Sequence, residues 1–312
     1  MKCLIALLEC RTFYSSYTAA NNAELIAAIN AANSSTAADT ITLAAGTNFS
    51  LAEVNNSTNG ATGLPTIAAN SGGLTILGNG STIERSAVVG TPAFRLLNVA
   101  PQGALNLVNL RLQNGLALGS TFATAFGGAI LNAGTLTLDG VTVRNNIAQG
   151  AAGYNSSEGF FHNVPGGSAT GGGIYSSGVL AMTGCSLLQN DAVGGRGADA
   201  FSTPRSEPGN SNPYVGPSAG GNATGGGIYL AGGTASLRNS VFRGNSAIGG
   251  KGGINSFVRK GASGAPGQGI GGGLYISSGA SALLDTATTG KFSRNTASAS
   301  DKDIFGNYSL IA

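Results

Sequence analysis

Charged residues are scarce in this 312-residue chain. Lysine, arginine, aspartate and glutamate together make up 9% of it, against about 25% in ordinary globular proteins. The formal net charge is only +3, and the basic residues form no stripe, so a nucleic-acid partner is not expected. Highly charged disorder is also excluded, because hydrophobic residues reach 42%. We therefore expect the chain to fold around an apolar core.

Cysteine, histidine and proline are few, and tryptophan is absent. The three cysteines, Cys3, Cys10 and Cys185, are an odd number without metal-ligand spacing, so they predict neither a disulfide framework nor a zinc site. The glycine-rich segments contain no phosphate-binding loop and no tandem calcium-binding nonapeptide. The sequence therefore predicts no cofactor and no metal.

Long hydrophobic runs are missing too. A short apolar stretch at 3–8 is interrupted by Glu9, whereas a secretory leader needs about 7–15 apolar residues. We interpret residues 1–20 as a degraded or mis-started targeting segment. No other run approaches the roughly 20 apolar residues of a membrane span, so none is predicted. The chain ends at Ala312 without a visible cap, which leaves open a missing C-terminal anchor or domain.

Glycine is abundant, with 52 residues, and it marks an internal repeat. Each copy has a glycine-led start and then an alternating apolar run that ends in asparagine. A fifth copy at 94–114 lacks the glycines. The four glycine-led starts are GGAILN at 127–132, GGGIYS at 171–176, GGGIYL at 225–230 and GGGLYI at 271–276. Alternation with a period of two is typical of strands, whereas a helix would need 3.6.

Each copy predicts three short strands, for instance Ala129–Asn132, Thr135–Leu138 and Val141–Arg144. A single coil of three strands leaves its apolar face open and its edges unpaired, so coils must stack. Equivalent side chains then lie about 4.8 Å apart in continuous core columns. The predicted columns are Leu105, Leu136, Leu180 and Ala235; Leu107, Leu138, Met182, Leu237 and Leu284; Leu110, Val141, Cys185 and Ser240; and Leu112, Val143, Leu187, Phe242 and Phe292.

The predicted fold is all-β: a right-handed single-stranded parallel β-helix of about seven three-strand coils. Residues 21–312 are expected to form one domain. It comprises a capping helix at 21–33, N-terminal coils at 40–114 and glycine-led repeats with long loops at 127–312. The helix is needed because a bare terminal coil would expose core and strand edge to solvent.

The pairing of a GGA-I or GGG-I start with an aromatic-x-x-Asn element, as in 242–245 and 292–295, resembles the repeats of chlamydial polymorphic outer membrane proteins. Two copies depart from this pattern, with Val143 and Leu187 in place of the aromatic residue. The resemblance covers residues 94–312. It implies a parallel β-helix that is secreted or displayed at the cell surface, with adhesion as the expected role. The motif is less specific for function than for fold, because many activities share β-helices.

The asparagines that end the repeats fit either a ligand-binding row or a stacked structural ladder. We favour the ladder, because asparagine tolerates left-handed backbone and its amide satisfies turn groups. The asparagines in question are Asn114, Asn146, Asn190, Asn245 and Asn295. Cys185, in a core column, is expected to be an inert buried thiol.

A polysaccharide lyase or glycoside hydrolase of the pectate-lyase-like class would need carboxylates converging on neighbouring coils. Asp139 and Asp285 fall near strands but three coils apart, about 14 Å by stacking. The sole histidine, His162, has no recognisable partner. We therefore favour a protein without catalytic activity and predict no catalytic residue, although the enzyme stays open as an alternative.

Four long insertions, 115–126, 147–170, 191–224 and 246–270, all leave after the repeat-end asparagine and return before the next glycine-led strand. They should form one decorated edge, which is where recognition residues usually lie. The candidate binding residues there are Tyr154, Phe160, Phe161, His162, Arg196, Phe201, Arg205, Tyr214, Lys251, Phe257, Arg259 and Lys260. Their aromatic and cationic groups suit sugars or acidic groups, although the aromatics also fit a purely packing role.

We interpret the chain as an exported or cell-surface scaffold for binding or adhesion. Its expected partner is a polysaccharide or a receptor on a host or cell surface. A purely structural surface spacer is a further alternative to the enzyme.

Overall fold

The computed structural model describes residues 15–69, 72–120, 123–156, 162–202, 214–257 and 261–311. Within these ranges the strands of five main sheets all pair in parallel, and successive strands of a sheet come from successive copies of the repeat. This is the arrangement of a solenoid similar to a parallel β-helix. Three of the sheets enclose the main core and form the shaft; the other two belong to the insertions.

The first face of the shaft is a nine-stranded sheet. Its strands are Ser15–Ala19, Asp39–Leu43, Leu74–Leu77, Ala104–Val108, Thr135–Asp139, Val179–Thr183, Gly233–Arg238, Ala280–Asp285 and Ser309–Ile311. The sequence places residues 15–19 outside the domain, in segment 1–20, but Ser15–Ala19 pairs in parallel with Asp39–Leu43. That strand is short and half exposed, and it precedes the helix, so no repeat pattern marks it.

The second face has seven strands and the third has six. The second face contains Asn48–Leu51, Thr82–Arg85, Arg111–Gln113, Thr142–Arg144, Ser186–Leu188, Val241–Arg243 and Phe292–Ser293. The third face contains Leu97–Val99, Ile130–Asn132, Ile174–Ser176, Ile228–Leu230, Leu274–Ile276 and Ile304–Phe305.

The predicted core columns are in register. Leu136, for example, pairs with Leu105 below and Leu180 above, and the Leu237–Leu284 and Phe242–Phe292 pairs are also formed. Nearly all of these side chains belong to one continuous buried cluster. Burying each large aliphatic or aromatic side chain contributes roughly 1.5–3 kcal/mol, so the columns hold the coils together.

The helix Asn22–Asn33 packs on the first coils. The side chain of Asn21 accepts a hydrogen bond from the Glu24 N–H and so caps its N-terminus. Leu25, Ile29 and two alanines are buried in the main core. A second helix, Thr286–Thr289, is a single turn capped by Asp285.

The first glycine of each glycine-led start makes a sharp bend into the third face. Gly127, Gly171, Gly225 and Gly271 have φ values from +56° to +67°, a left-handed conformation that glycine adopts without steric cost. The bend separates the shaft from the insertions.

Candidate binding surfaces

The four insertions form a second, narrower solenoid, which we call the lobe (115–126, 147–170, 191–224 and 246–270). Sequence predicts loops there, and this expectation is wrong for their ends, which are paired strands. The outgoing strands are Leu116–Leu118, Ile147–Gln149, Asp191–Val193 and Ser246–Ile248, and Thr296–Ala297, beyond the last insertion, completes their sheet. The return strands are Ala125–Phe126, Ala169–Thr170, Ala223–Thr224 and Gly269–Ile270. Between the two sheets lies a core made only of alanines: Ala125, Ala148, Ala169, Ala192, Ala223 and Ala247.

Beyond these strands, glycine-rich segments of the lobe bond to one another through the backbone. The bonds link outgoing and return segments alternately, with N···O distances of 2.8–2.9 Å. They run from Gly167 N to Ala151 O, Gly195 N to Gly167 O, Gly221 N to Gly195 O, Gly250 N to Gly221 O and Gly267 N to Gly250 O. A Cβ on Gly195 would lie 1.8 Å from the Ala151 carbonyl oxygen. We call this packing the glycine lattice; glycine is required there for the same steric reason as at the collagen axis.

Among the described residues, several of the predicted binding residues lie on neighbouring segments of the lobe: Arg196 O accepts from Gly153 N at 2.7 Å, next to Tyr154, and Lys251 O accepts from Gly197 N at 2.8 Å. Tyr214 and Phe257 meet edge to face, with ring centroids 5.6 Å apart, and Tyr154 is 46% exposed. Arg196 forms an ion pair with Asp199, and Lys251 is exposed. The Arg196 cation is thus already partly neutralised.

Two short antiparallel hairpins project from the lobe. One joins Asn155–Ser156 to His162–Asn163, and the other joins Phe201–Ser202 to Tyr214–Val215. His162 and Phe201 therefore lie on hairpin strands. Phe160, Phe161, Arg205, Arg259 and Lys260 lie outside the described residues.

A hydrogen-bonded asparagine ladder runs inside the corner between the second face and the lobe. Asn146 donates from Nδ2 to Oδ1 of Asn190 at 2.9 Å, and Asn190 does the same to Asn245 at 2.9 Å. Asn245 continues to Asn295 at 3.1 Å. Each amide oxygen also accepts the backbone N–H of the residue before it in the ladder. All four residues are buried, so this row holds coils together and has no face open to a ligand.

Asn114 does not belong to the ladder, which corrects the expectation. It is half exposed, with φ +63°, and aligns with the left-handed residue before each ladder position, such as Asn145 or Gln189. Gly115 takes the ladder position, and its N–H donates to Asn146 Oδ1 at 2.9 Å. The left-handed backbone conformation that was expected at the ladder asparagines is thus adopted by the residue before each of them.

Cys185 is buried in its predicted column, and burial raises the pKa of its thiol to about 11. We expect maleimide to label it at least about 100-fold more slowly than an exposed cysteine at about pH 8, because little thiolate forms. The experiment uses a chain in which Cys3 and Cys10 are replaced by serine. It compares the rate at which maleimide labels Cys185 in the native protein with the rate in the denatured protein. A control carries Thr183→Cys with Cys185→Ser, since Thr183 is exposed nearby. Equal rates in the two native proteins would contradict the buried position.

An aromatic ladder on the outside of the third face was not anticipated. Tyr175, Tyr229, Tyr275 and Phe305 stack with ring centroids 4.6–5.5 Å apart and nearly parallel planes. The three tyrosines follow the inward-pointing aliphatic residue of a GGGIY-type start, and Phe305 follows Ile304 on the next strand, so strand alternation directs all four outward. The repeated tyrosine was the signal in the sequence that would have revealed the ladder.

The aromatic ladder ends at Tyr175, because Leu131 occupies its column in the preceding coil. Phe126, at the end of a return strand of the lobe, packs edge-on against Tyr175 with centroids 4.7 Å apart. A pocket of about 350 Å³ opens at this point. We call it the corner pocket; it is lined by Asn59, Pro101, Phe126, Leu131, Ala133 and Tyr175.

Arg95 braces the wall of the corner pocket. Its side chain is 4% exposed, donates from Nη1 to the Asn59 carbonyl at 2.6 Å and from Nε to the Phe126 carbonyl at 3.2 Å. Burial lowers the pKa of this guanidinium to about 10, so it stays charged at neutral pH. Arg95 is thus a positioning group that joins the loop at 59 to the end of the return strand.

Tyr175 and Asn59 supply the polar groups of the mainly apolar corner pocket. Partial burial raises the pKa of its phenol, so the hydroxyl stays protonated at neutral pH and is able to donate a hydrogen bond. The pKa of Tyr229 is raised by burial and then by the neighbouring Tyr275 and Tyr175.

The two carboxylates that the sequence places near strands do not converge. Asp139 and Asp285 lie three strands apart on the first face. Asp285 accepts from Thr288 N at 2.7 Å and Asn239 N at 2.9 Å, so it serves as a cap. Within the described ranges, no three histidine, cysteine or acidic side chains come close enough to hold a metal ion. Neither described helix is long and apolar enough to span a bilayer.

Comparison with protein family models, with curated proteins and with solved structures found no match to this chain.

Proposed function

We propose that the protein is a non-catalytic binding shaft that recognises neutral sugar residues at the corner pocket. The observation that carries this proposal is the pocket itself, where the Phe126 and Tyr175 rings meet beside aliphatic side chains. Its volume falls within the range of about 300–1,000 Å³ typical of small-ligand sites. Aromatic rings offer apolar surface to the C–H face of a sugar, while a phenol hydroxyl and an amide satisfy its hydroxyls.

The rigid surroundings favour binding. The stacked tyrosines on one side and the lobe on the other hold the two rings in place before a ligand arrives, which lowers the entropic cost of association. Aromatic groups of the lobe, such as the Tyr214–Phe257 pair and exposed Tyr154, would then contact a longer glycan or a cell-surface partner beyond the pocket.

We further propose that the shaft is exported and displayed at a cell surface, with right-handed winding. The resemblance of the glycine-led repeats to those of polymorphic outer membrane proteins supports display. The strong preference of parallel β crossovers for the right hand supports the winding.

The test is a screen of neutral oligosaccharides followed by calorimetric titration of the best binder. Tyr175→Ala is expected to raise its Kd at least about tenfold, as is typical for a central aromatic contact. Tyr275→Ala is the matched control, because it removes a ladder tyrosine that does not line the pocket. Absence of any binding glycan, or equal loss of affinity in the two variants, would refute the proposal.

A further inference from the structure

A row of arginines lies on the second face, away from the corner pocket. Arg144, Leu188 and Arg243 pair in register on successive strands, so the two arginines are two coils apart, about 10 Å. One strand further on, Arg294 follows Ser293, the residue paired with Arg243. A cation, an aliphatic side chain and a second cation therefore follow one another on three successive coils, and a third cation lies on the fourth.

The row borders a pocket of about 300 Å³, lined by Leu188, Gln189, Arg243, Gly244 and Arg294. Gly244 has φ +68° where other coils carry Gln189 and Arg294. A Cβ there would find only the Gln189 side chain within 4 Å. The missing side chain opens the pocket floor between two neighbouring turns.

The arginines in this row have no partners in the described part of the chain. Arg243 and Arg294 are exposed, and neither side chain takes part in an ion pair or a hydrogen bond there. Arg144 Nε is buried without a hydrogen-bond partner. Glu84, the acidic residue on this face, lies two strands before Arg144 and is bonded to Gln113. The row therefore presents uncompensated positive charge.

We infer that this row binds an acidic polysaccharide in which uronate and neutral sugars alternate. Guanidinium groups pair with carboxylates through two parallel hydrogen bonds, and Leu188 between them suits the apolar face of a neutral sugar. Carboxylates on alternate sugars would meet Arg144 and Arg243, which lie two coils apart, and Arg294, on the coil after Arg243, adds a second cation at the pocket. A small inorganic anion would pair with the arginines but would make no apolar contact with Leu188, so it fits the row less well than a polysaccharide.

The probe is a hyaluronan hexasaccharide, titrated calorimetrically at low salt. Arg243→Gln and Arg294→Gln should each raise its Kd about tenfold, and affinity should fall as salt is added. Lys302→Gln is the charge-matched control and should change Kd less than about twofold, because Lys302 is an exposed cation outside this pocket. Thermal unfolding of each variant checks that the fold is kept.

Three results would overturn the inference: no binding of the hexasaccharide, equal binding of a neutral chitin hexasaccharide, or equal loss in Lys302→Gln. Inorganic sulfate that competes with equal affinity would also overturn it, since the row would then be a simple anion site. Tyr175→Ala should bind hyaluronan like the parent chain, so failure at the corner pocket and failure here are distinguishable.

Discussion

Replacing Gly195 with alanine should unfold the lobe while the shaft stays folded. The new methyl group would lie 1.8 Å from the Ala151 carbonyl oxygen and 2.6 Å from its carbon, far inside van der Waals contact. Both atoms belong to backbone, so no side chain is able to move aside. The segment at 195 must separate from its neighbours, and the bonds from Gly195 N to Gly167 O and from Gly221 N to Gly195 O would break.

Hydrogen exchange measures this result, because it reports protection amide by amide. Amides of the glycine lattice, such as Gly221 and Gly250, should lose protection, whereas amides of the first face should keep theirs. The matched control is Gly216→Ala, also in the lobe. A Cβ on Gly216 meets only the Tyr214 side chain, at 3.8 Å, and should leave the exchange pattern unchanged. Retained lattice protection in Gly195→Ala would show that the lattice does not hold the lobe.

The core of the shaft was predictable because its physical signal is local and repeated. Alternation places Leu136 and Leu138 on one face of a strand, and the same spacing recurs in the copies that contain Leu180 and Leu237. Stacking is then the only arrangement that buries every copy. The structure pairs these residues in register.

The lobe was not predictable by the same reasoning. Its core consists of alanines such as Ala148 and Ala192, which differ too little from glycine and serine to produce a clear apolar alternation. Its lattice depends on backbone bonds between segments far apart in sequence. Composition shows that glycine is abundant, but not which carbonyl each glycine faces.

The candidate site was missed for a related reason. The repeated tyrosine after a glycine-led start is visible in the sequence, but strand alternation alone does not show that the outward Tyr175 stacks on its neighbours. The pocket also depends on a break in the ladder at Leu131, and Asn59 comes from an early coil outside the regular repeats. Only tertiary structure brings these residues together.

The asparagine ladder leads to the second large prediction: Asn190→Ala should lower the free energy of unfolding by about 3 kcal/mol or more. The Nδ2 group of Asn190 donates to Val143 O and Asn245 Oδ1, each at 2.9 Å. Its Oδ1 accepts from the backbone N and side-chain Nδ2 of Asn146. Alanine would leave these buried groups unpaired, and each such group costs roughly 1–3 kcal/mol. Guanidinium unfolding measures the loss.

The variant Asn190→Asp removes the hydrogen bonds that Asn190 Nδ2 donates while keeping an oxygen that accepts, so it tests the two roles of the side chain separately. One aspartate oxygen still accepts from Asn146. The other oxygen replaces Nδ2 and faces two acceptors, Val143 O and Asn245 Oδ1, which repel an ionised carboxylate. The folded state therefore favours the protonated acid. A folded-state pKa raised in this way makes the variant more stable at about pH 4 than at about pH 7, relative to the parent chain. The control is Asn114→Gly, since glycine accepts the left-handed backbone at 114 and should change stability by less than about 0.5 kcal/mol. If Asn114→Gly and Asn190→Ala lowered the free energy of unfolding equally, the ladder would contribute no more stability than a residue in a surface turn.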